Sequence, residues 1–185
     1  LVSEALYLRD PDGLGIEVYA DRPRASWQHR NRELAMTTDP LDIAGLLAEG
    51  HGESWDGLPA HTTVGHVHLH VGTLREAEGF YHRAIGFDKT VWSYPGALFL
   101  SAGGYHHHLG TNVWSPGPAP ADDDARLLAW ELLVPSHDDV QNAARSLRGA
   151  GCEVEETDRG VRVADPWGTV VHLAPASRPG IHSYR

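Results

Sequence analysis

Sulfur is scarce in this 185-residue sequence, which has one cysteine, Cys152, and one methionine, Met36. A single cysteine excludes an intrachain disulfide framework and fits a reducing compartment, so a cytoplasmic protein is expected. Positive charge is short as well: 15 Lys and Arg stand against 25 Asp and Glu, a formal charge of −10. Nucleic acid and anionic membrane both select a cationic face, so neither is expected as a partner. No apolar run approaches the ~20 residues of a bilayer-spanning helix. What remains is 41% apolar and 22% charged, the balance of a globular domain. The 13 histidines are the anomaly, and six of them fall in two short stretches, 66–70 and 106–108.

The first cluster is GHVHLHV, residues 65–71. Side chains alternate faces along a strand, so His66, His68 and His70 share one face and Val67, Leu69 and Val71 the other. A row of imidazoles can bind metal or line a pocket. It can equally be a wet strand face, and spacing alone does not separate these.

The chain opens with a hairpin, EALYL and GIEVY around Asp10-Pro11-Asp12-Gly13. Residues 28–64 read as a polar linker with one short helix, LDIAGLLAE, for which Asp39 is the expected N-cap. From residue 65 the pattern is strand, helix and three strands. The helix is opened by a Thr73–Glu76 capping box and closed by Gly86. Its stripe is Leu74, Ala77, Phe80, Tyr81 and Ala84. The stretch HHHLGTNVW is expected to form the last strand of this unit. A Pro- and Asp-rich loop follows, and then a second unit whose helix runs from Ser136 to about residue 150. Trp92, Trp114 and Trp130 are most simply core residues.

A sharper repeat joins the two ends of the chain. YLRDPDGLGIEVY and VRVADPWGTVVHL share D-P-x-G, and Asp10 precedes Glu17 by the same interval as Asp165 precedes His172. The opening hairpin is therefore expected to end a βαβββ unit of its own. The expected organisation is 1–27 as the C-terminal hairpin of a truncated first domain and 28–64 as linker. Residues 65–175 form a second domain of two βαβββ units, with 176–185 as tail.

These features resemble the vicinal-oxygen-chelate superfamily of glyoxalases, bleomycin-resistance proteins and extradiol dioxygenases. The narrower resemblance is to bacterial two-domain catechol 2,3-dioxygenases. It is carried by VSEALYLRDPDGLGIEVYADRPRASW, MTTDPLDIAGLLAE, GHVHLHVGTLREAEGFYHRAIGFD and ALFLSAGGYHHHLGTNVW. Measured against that family, roughly the first 120 residues are missing, judged from usual domain size.

The resemblance implies an α+β fold of tandem βαβββ units forming a curved, open mixed sheet. It implies Fe(II), with Mn(II) as the other candidate, held by two histidines and a carboxylate. His66 and Glu17 match two of these ligands, which leaves His68 and His70 as pocket lining or solvated strand histidines. The third, a histidine on an earlier strand, has no counterpart here, because LLAWELL carries Trp130 and Glu131 instead. Tyr7, ten residues before Glu17, matches a substrate-binding tyrosine. His107 matches the acid–base histidine, with His106 and His108 as alternatives one residue away. His172 is a candidate for a vestigial second site. The implied substrates are a small aromatic diol and O2, with ring cleavage beside the diol. The implied partner is a second subunit or an N-terminal domain that completes the site. A glyoxalase-like isomerase, a thiol transferase and a metal-free aromatic-drug binder are the alternatives.

Overall fold

The computed structural model describes residues 1–52, 54–115, 120–121 and 123–176, so part of the Pro- and Asp-rich loop, His182 and nearly all of the expected tail lie outside the described residues. The chain divides into two compact units, Leu1–Val67 and His68–Arg185. Among the described residues no helix is long and apolar enough to cross a membrane.

The first unit opens with an antiparallel hairpin of β1 (Ser3–Arg9) and β2 (Gly15–Asp21). Asp10 builds its turn, since Oδ1 accepts from the Asp12 and Leu14 amides at 3.0 and 2.8 Å. Gly13 takes φ +88°, a region that disfavours any residue with a Cβ. Alternation then gives the hairpin two faces. Tyr7 and Glu17, directly opposite each other, lie on one; the cross-strand pairs Leu6–Val18 and Leu8–Ile16 lie on the other.

The linker holds more structure than its sequence suggests. A second, two-residue hairpin joins β3 (His29–Arg30) to β4 (Glu33–Leu34), and Trp27 and Leu34 are buried beside it. Its turn puts Asn31 and Arg32 at φ +52° and +69°. Paired positive φ values normally announce themselves as Asn-Gly, and arginine in the second place hides the turn. The short helix α1 spans Ile43–Glu49, three residues later than Pro40 predicts. Its cap is Asp42, not Asp39, because Asp42 Oδ1 accepts the Gly45 amide at 3.0 Å. Gly45 leaves the room: a Cβ there would lie 2.5 Å from Asp42 Oδ2.

Two βαβββ units follow, with matching strand orders. The first has β5 (Val67–His70), β6 (Asp88–Val91), β7 (Ala97–Ser101) and β8 (Leu109–Asn112), arranged β5-β8-β7-β6. The second has β9 (Ala129–Val134), β10 (Val154–Thr157), β11 (Gly160–Ala164) and β12 (Val170–Pro175), arranged β9-β12-β11-β10. Strand β12 is antiparallel to β11 and parallel to β9, so this sheet is mixed.

The helix of the first unit begins as α2 (Leu74–Ala77), with Thr73 Oγ1 accepting the Glu76 amide at 3.2 Å. From Glu78 to Ile85 it widens into a π-helix, which the apolar spacing does not reveal. It still buries Ala77, Phe80, Tyr81 and Ala84. The helix of the second unit, α3 (His137–Gly149), is capped by Ser136 and buries Val140, Ala144 and Leu147. One buried polar link ties the π-helix to the second sheet's hairpin: Tyr81 Oη donates to Asp165 Oδ2 at 2.7 Å. Two tryptophans read as core are not: Trp92 is 40% exposed and Trp114 51%.

Candidate metal and proton-transfer site

The hairpin of the first unit aims Glu17 at two partners. Tyr7, on the facing strand, donates its hydroxyl to Oε1 at 2.8 Å. His66, just before β5, approaches Oε2 through Nε2 at 2.7 Å. The two side chains are nearly covered, 6% exposed for His66 and 16% for Glu17. Tyr19 stacks on the His66 ring at 4.7 Å between centroids. Gly65 is the reason Tyr19 fits, because a Cβ there would collide with the tyrosine hydroxyl. Tyr19 was not singled out in the sequence. Its position, two residues after Glu17 and so on the same strand face, is the signal that could have found it.

The second unit contains a chain of three imidazoles. His68 Nε2 lies 3.0 Å from His107 Nε2, and His107 Nδ1 lies 2.8 Å from His106 Nδ1. Both nitrogens of His107 are thus engaged by other rings. A neutral imidazole has one donor and one acceptor nitrogen, so a consistent set of tautomers can pass a proton along such a row. His106 is 1% exposed and His107 5%. Gly110 makes space for the row, since a Cβ there would meet His68 Nε2 at 2.6 Å. Thr90 Oγ1 secures the His106 carbonyl at 2.8 Å.

The expected strand character of the triple histidine is corrected here. β8 begins at Leu109, and residues 106–108 belong to the connection that follows the left-handed glycines 103 and 104. Strand alternation therefore does not apply to them, and the neighbours His106 and His107 are both buried. His108 turns elsewhere, its Nδ1 accepting the Ala102 amide at 3.2 Å and lying 3.1 Å from Ser101 Oγ. That is a structural contact. His70 is exposed.

The other copy of the repeat is built to the same plan with different chemistry. Asp165 Oδ1 accepts the Trp167 and Thr169 amides at 2.9 and 2.8 Å, and Gly168 sits at φ +90°. Arg162 faces His172 as Tyr7 faces Glu17, and Glu131 lies beside His172 on β9. A shallow cleft is lined by these three residues with Glu155 and Arg159. Arg162 pairs with Glu155 at 2.6 Å and Arg159 with Glu131 at 3.3 Å. His172 thus stands among ion pairs, with no second histidine among the residues lining the cleft.

Comparison with known proteins gives the family. The family model of the Glyoxalase/Bleomycin resistance protein/Dioxygenase superfamily matches residues 63–173. The chain belongs to this superfamily. It is also 48% identical over 171 residues to the catechol-2,3-dioxygenase of Bacillus subtilis (strain 168), a match covering 89% of this chain and 59% of that protein. The chain therefore spans about three fifths of the curated relative it matches. Among solved structures, a Bacillus halodurans protein assigned to the glyoxalases aligns with TM-score 0.51 at 15% identity, over 63% of this chain and 97% of that one. This superfamily member accordingly shares the α+β fold of tandem βαβββ units with that glyoxalase-type structure.

Proposed function

We propose that this superfamily chain serves an Fe(II)-dependent extradiol dioxygenase, with Mn(II) as the other candidate metal, opening a catechol-type ring with O2. The observation that carries the reading is the Glu17 carboxylate held between Tyr7 Oη and His66 Nε2. The likeness to a catechol-2,3-dioxygenase supports it. The donor set fits the metal: one imidazole and one carboxylate are two thirds of the facial triad of non-haem iron oxygenases. Glu17 Oε2 and His66 Nε2, 2.7 Å apart, would be the two atoms that hold it.

Residues 1–27 are read as the closing hairpin of a first domain. In the repeat copy, β9 lies parallel beside β12 and sets Glu131 opposite His172. A strand in the same place beside β2 would set its own residue opposite Glu17, which is where the third ligand is assigned. A metal held by Glu17 and His66 would favour the deprotonated catechol and supply the redox chemistry toward O2. Tyr7 holds its proton toward Glu17 Oε1 and is assigned to the substrate oxygen. His107, engaged at both nitrogens, is assigned to take and return the catechol protons, with His106 behind it.

The test is substitution in the protein carrying the complete ligand set. Glu17→Ala and His66→Ala should each lose iron and catechol-dependent oxygen uptake while keeping the far-ultraviolet spectrum. Iron and oxygen uptake retained in either variant removes that residue from the triad. Activity on a hemithioacetal without oxygen consumption would assign the glyoxalase chemistry instead.

A further inference from the structure

Strand β6 breaks its register with β7 once. Lys89 faces Leu100 and Val91 faces Phe99, so Thr90 is the extra residue of a β-bulge. Bulges re-aim a side chain out of the ladder and recur beside functional sites. Thr90 Oγ1 reaches two carbonyls, His106 at 2.8 Å and Phe99 at 3.1 Å. A threonine hydroxyl has one proton, so the two oxygens share it in a three-centre bond that is shorter toward His106.

Both acceptors belong to residues that set the surroundings of His107. The His106 carbonyl is part of the planar peptide from which His107 hangs, so pinning its oxygen fixes that plane and the direction of the His107 side chain. Phe99 packs its ring in a T-shaped arrangement against His107 at 4.9 Å and His68 at 5.9 Å between centroids. The His106–His107 peptide lies outside any strand, so no ladder sets its plane. Upstream of it, Gly103 and Gly104 take φ +62° and +71°. Downstream, the His108 amide donates to the Leu100 carbonyl at 2.9 Å.

We infer that Thr90 is a positioning residue, which holds His107 in the imidazole row by clamping the His106 and Phe99 backbone from the β6 bulge. Its effect on turnover rests on reading His107 as the acid–base group; its effect on the rings is independent of that reading and of any metal. Valine keeps the branched shape of threonine and removes the hydroxyl. His106 and His107 are buried, so water is a poor substitute for the lost donor. Without the clamp the peptide between them is free to turn. His107 then loses the geometry that sets His106 Nδ1 at 2.8 Å from one of its nitrogens and His68 Nε2 at 3.0 Å from the other. Serine keeps the hydroxyl and so keeps the clamp.

The experiment compares Thr90→Val with Thr90→Ser. In the 185-residue chain carrying nitrogen-labelled histidine, long-range proton–nitrogen spectra read each imidazole. Thr90→Val should shift or broaden the His106 and His107 ring signals and leave those of His137 and His172 in place. Thr90→Ser should keep the parent pattern. In the protein with its full ligand set, Thr90→Val should lower kcat for ring cleavage by about tenfold to a hundredfold, the scale of a misplacement of about 1 Å. KM for catechol should stay nearly unchanged, and Thr90→Ser should run near the parent rate. Ring signals in Thr90→Val that superimpose on the parent's, or equal perturbation by valine and serine, overturn the inference. So does perturbation spread evenly over His137 and His172, which would assign Thr90 to overall stability. A normal kcat in Thr90→Val, where His107→Ala is slow, overturns it as well. Perturbed rings in Thr90→Val with normal turnover in His107→Ala would count against the acid–base reading of His107 and not against the clamp.

Discussion

Asp10 and Asp165 occupy the same turn in two copies of one hairpin, and truncating each to alanine should have very different costs. Asp10 Oδ1 accepts two turn amides at the surface, and its removal leaves groups that water can reach. Net losses of this kind are about 1 kcal/mol. Asp165 holds the equivalent two amides and, through Oδ2, the hydroxyl of Tyr81 at 2.7 Å. Asp165 is 6% exposed and Tyr81 0%. Asp165→Ala therefore also removes a hydrogen bond to a carboxylate and strands a buried hydroxyl, for a total of about 3–5 kcal/mol. At about 2–4 °C per kcal/mol, that lowers the melting temperature by about 6–20 °C, against a few degrees for Asp10→Ala. Thermal unfolding followed by circular dichroism measures both. Equal shifts, or a loss under about 1 kcal/mol for Asp165→Ala, would refute the account of Tyr81–Asp165 as the buried tie between helix and sheet.

The same tie has an alkaline signature. Burial first, then the negative charge of Asp165 and the hydrogen bond to it, push the Tyr81 hydroxyl pKa well above its ordinary value. The folded protein thus keeps this proton where the unfolded chain releases it. The contribution is fully present below about pH 10, the value for an unperturbed tyrosine. Above that it is lost at about 1.4 kcal/mol per pH unit. In Tyr81→Phe this part of the slope should vanish.

In the protein with its full ligand set, His107→Ala should keep iron and slow ring cleavage by about 10²–10⁴-fold, as loss of a general acid or base does. His108→Ala should leave turnover near normal and cost stability instead, because His108 ties down the end of β7; steady-state oxygen uptake distinguishes the two, and a normal rate for His107→Ala moves the acid–base role elsewhere. Gly110→Ala should displace the His68 ring from His107, lowering kcat with KM for catechol nearly unchanged. The 185-residue chain alone should hold iron weakly, since Glu17 and His66 are two ligands of three; tight stoichiometric iron in it would point to His172 or the 106–108 cluster.

The sequence by itself determined the opening hairpin and the repeated strand and helix order from residue 65, because these rest on local rules, but not the β3–β4 hairpin or the π-helix. Strand alternation, capping serine and threonine and D-P-x-G turns act within a few residues, and the structure has the two βαβββ units they describe. The opening hairpin around Asp10-Pro11-Asp12-Gly13 was legible for the same reason. Local rules failed where a competing local contact won: Asp42 outcompeted Asp39 for the helix cap because Gly45 left room beside it. Only the tertiary structure decided that His66 meets Glu17, 49 residues away in sequence, and that His68 and His107 touch across 39. Nothing in the spacing of HHH shows that His106 and His107 are buried while His108 turns to Ser101, because residues outside a regular strand have no fixed alternation. The burial of Val161, Val163, Val171 and Leu173 beside the exposure of their counterparts in the D-P-x-G repeat, Leu6, Leu8, Ile16 and Val18, is of the same kind. Apolar patterning states which face must be covered, and only packing against another element states whether it is.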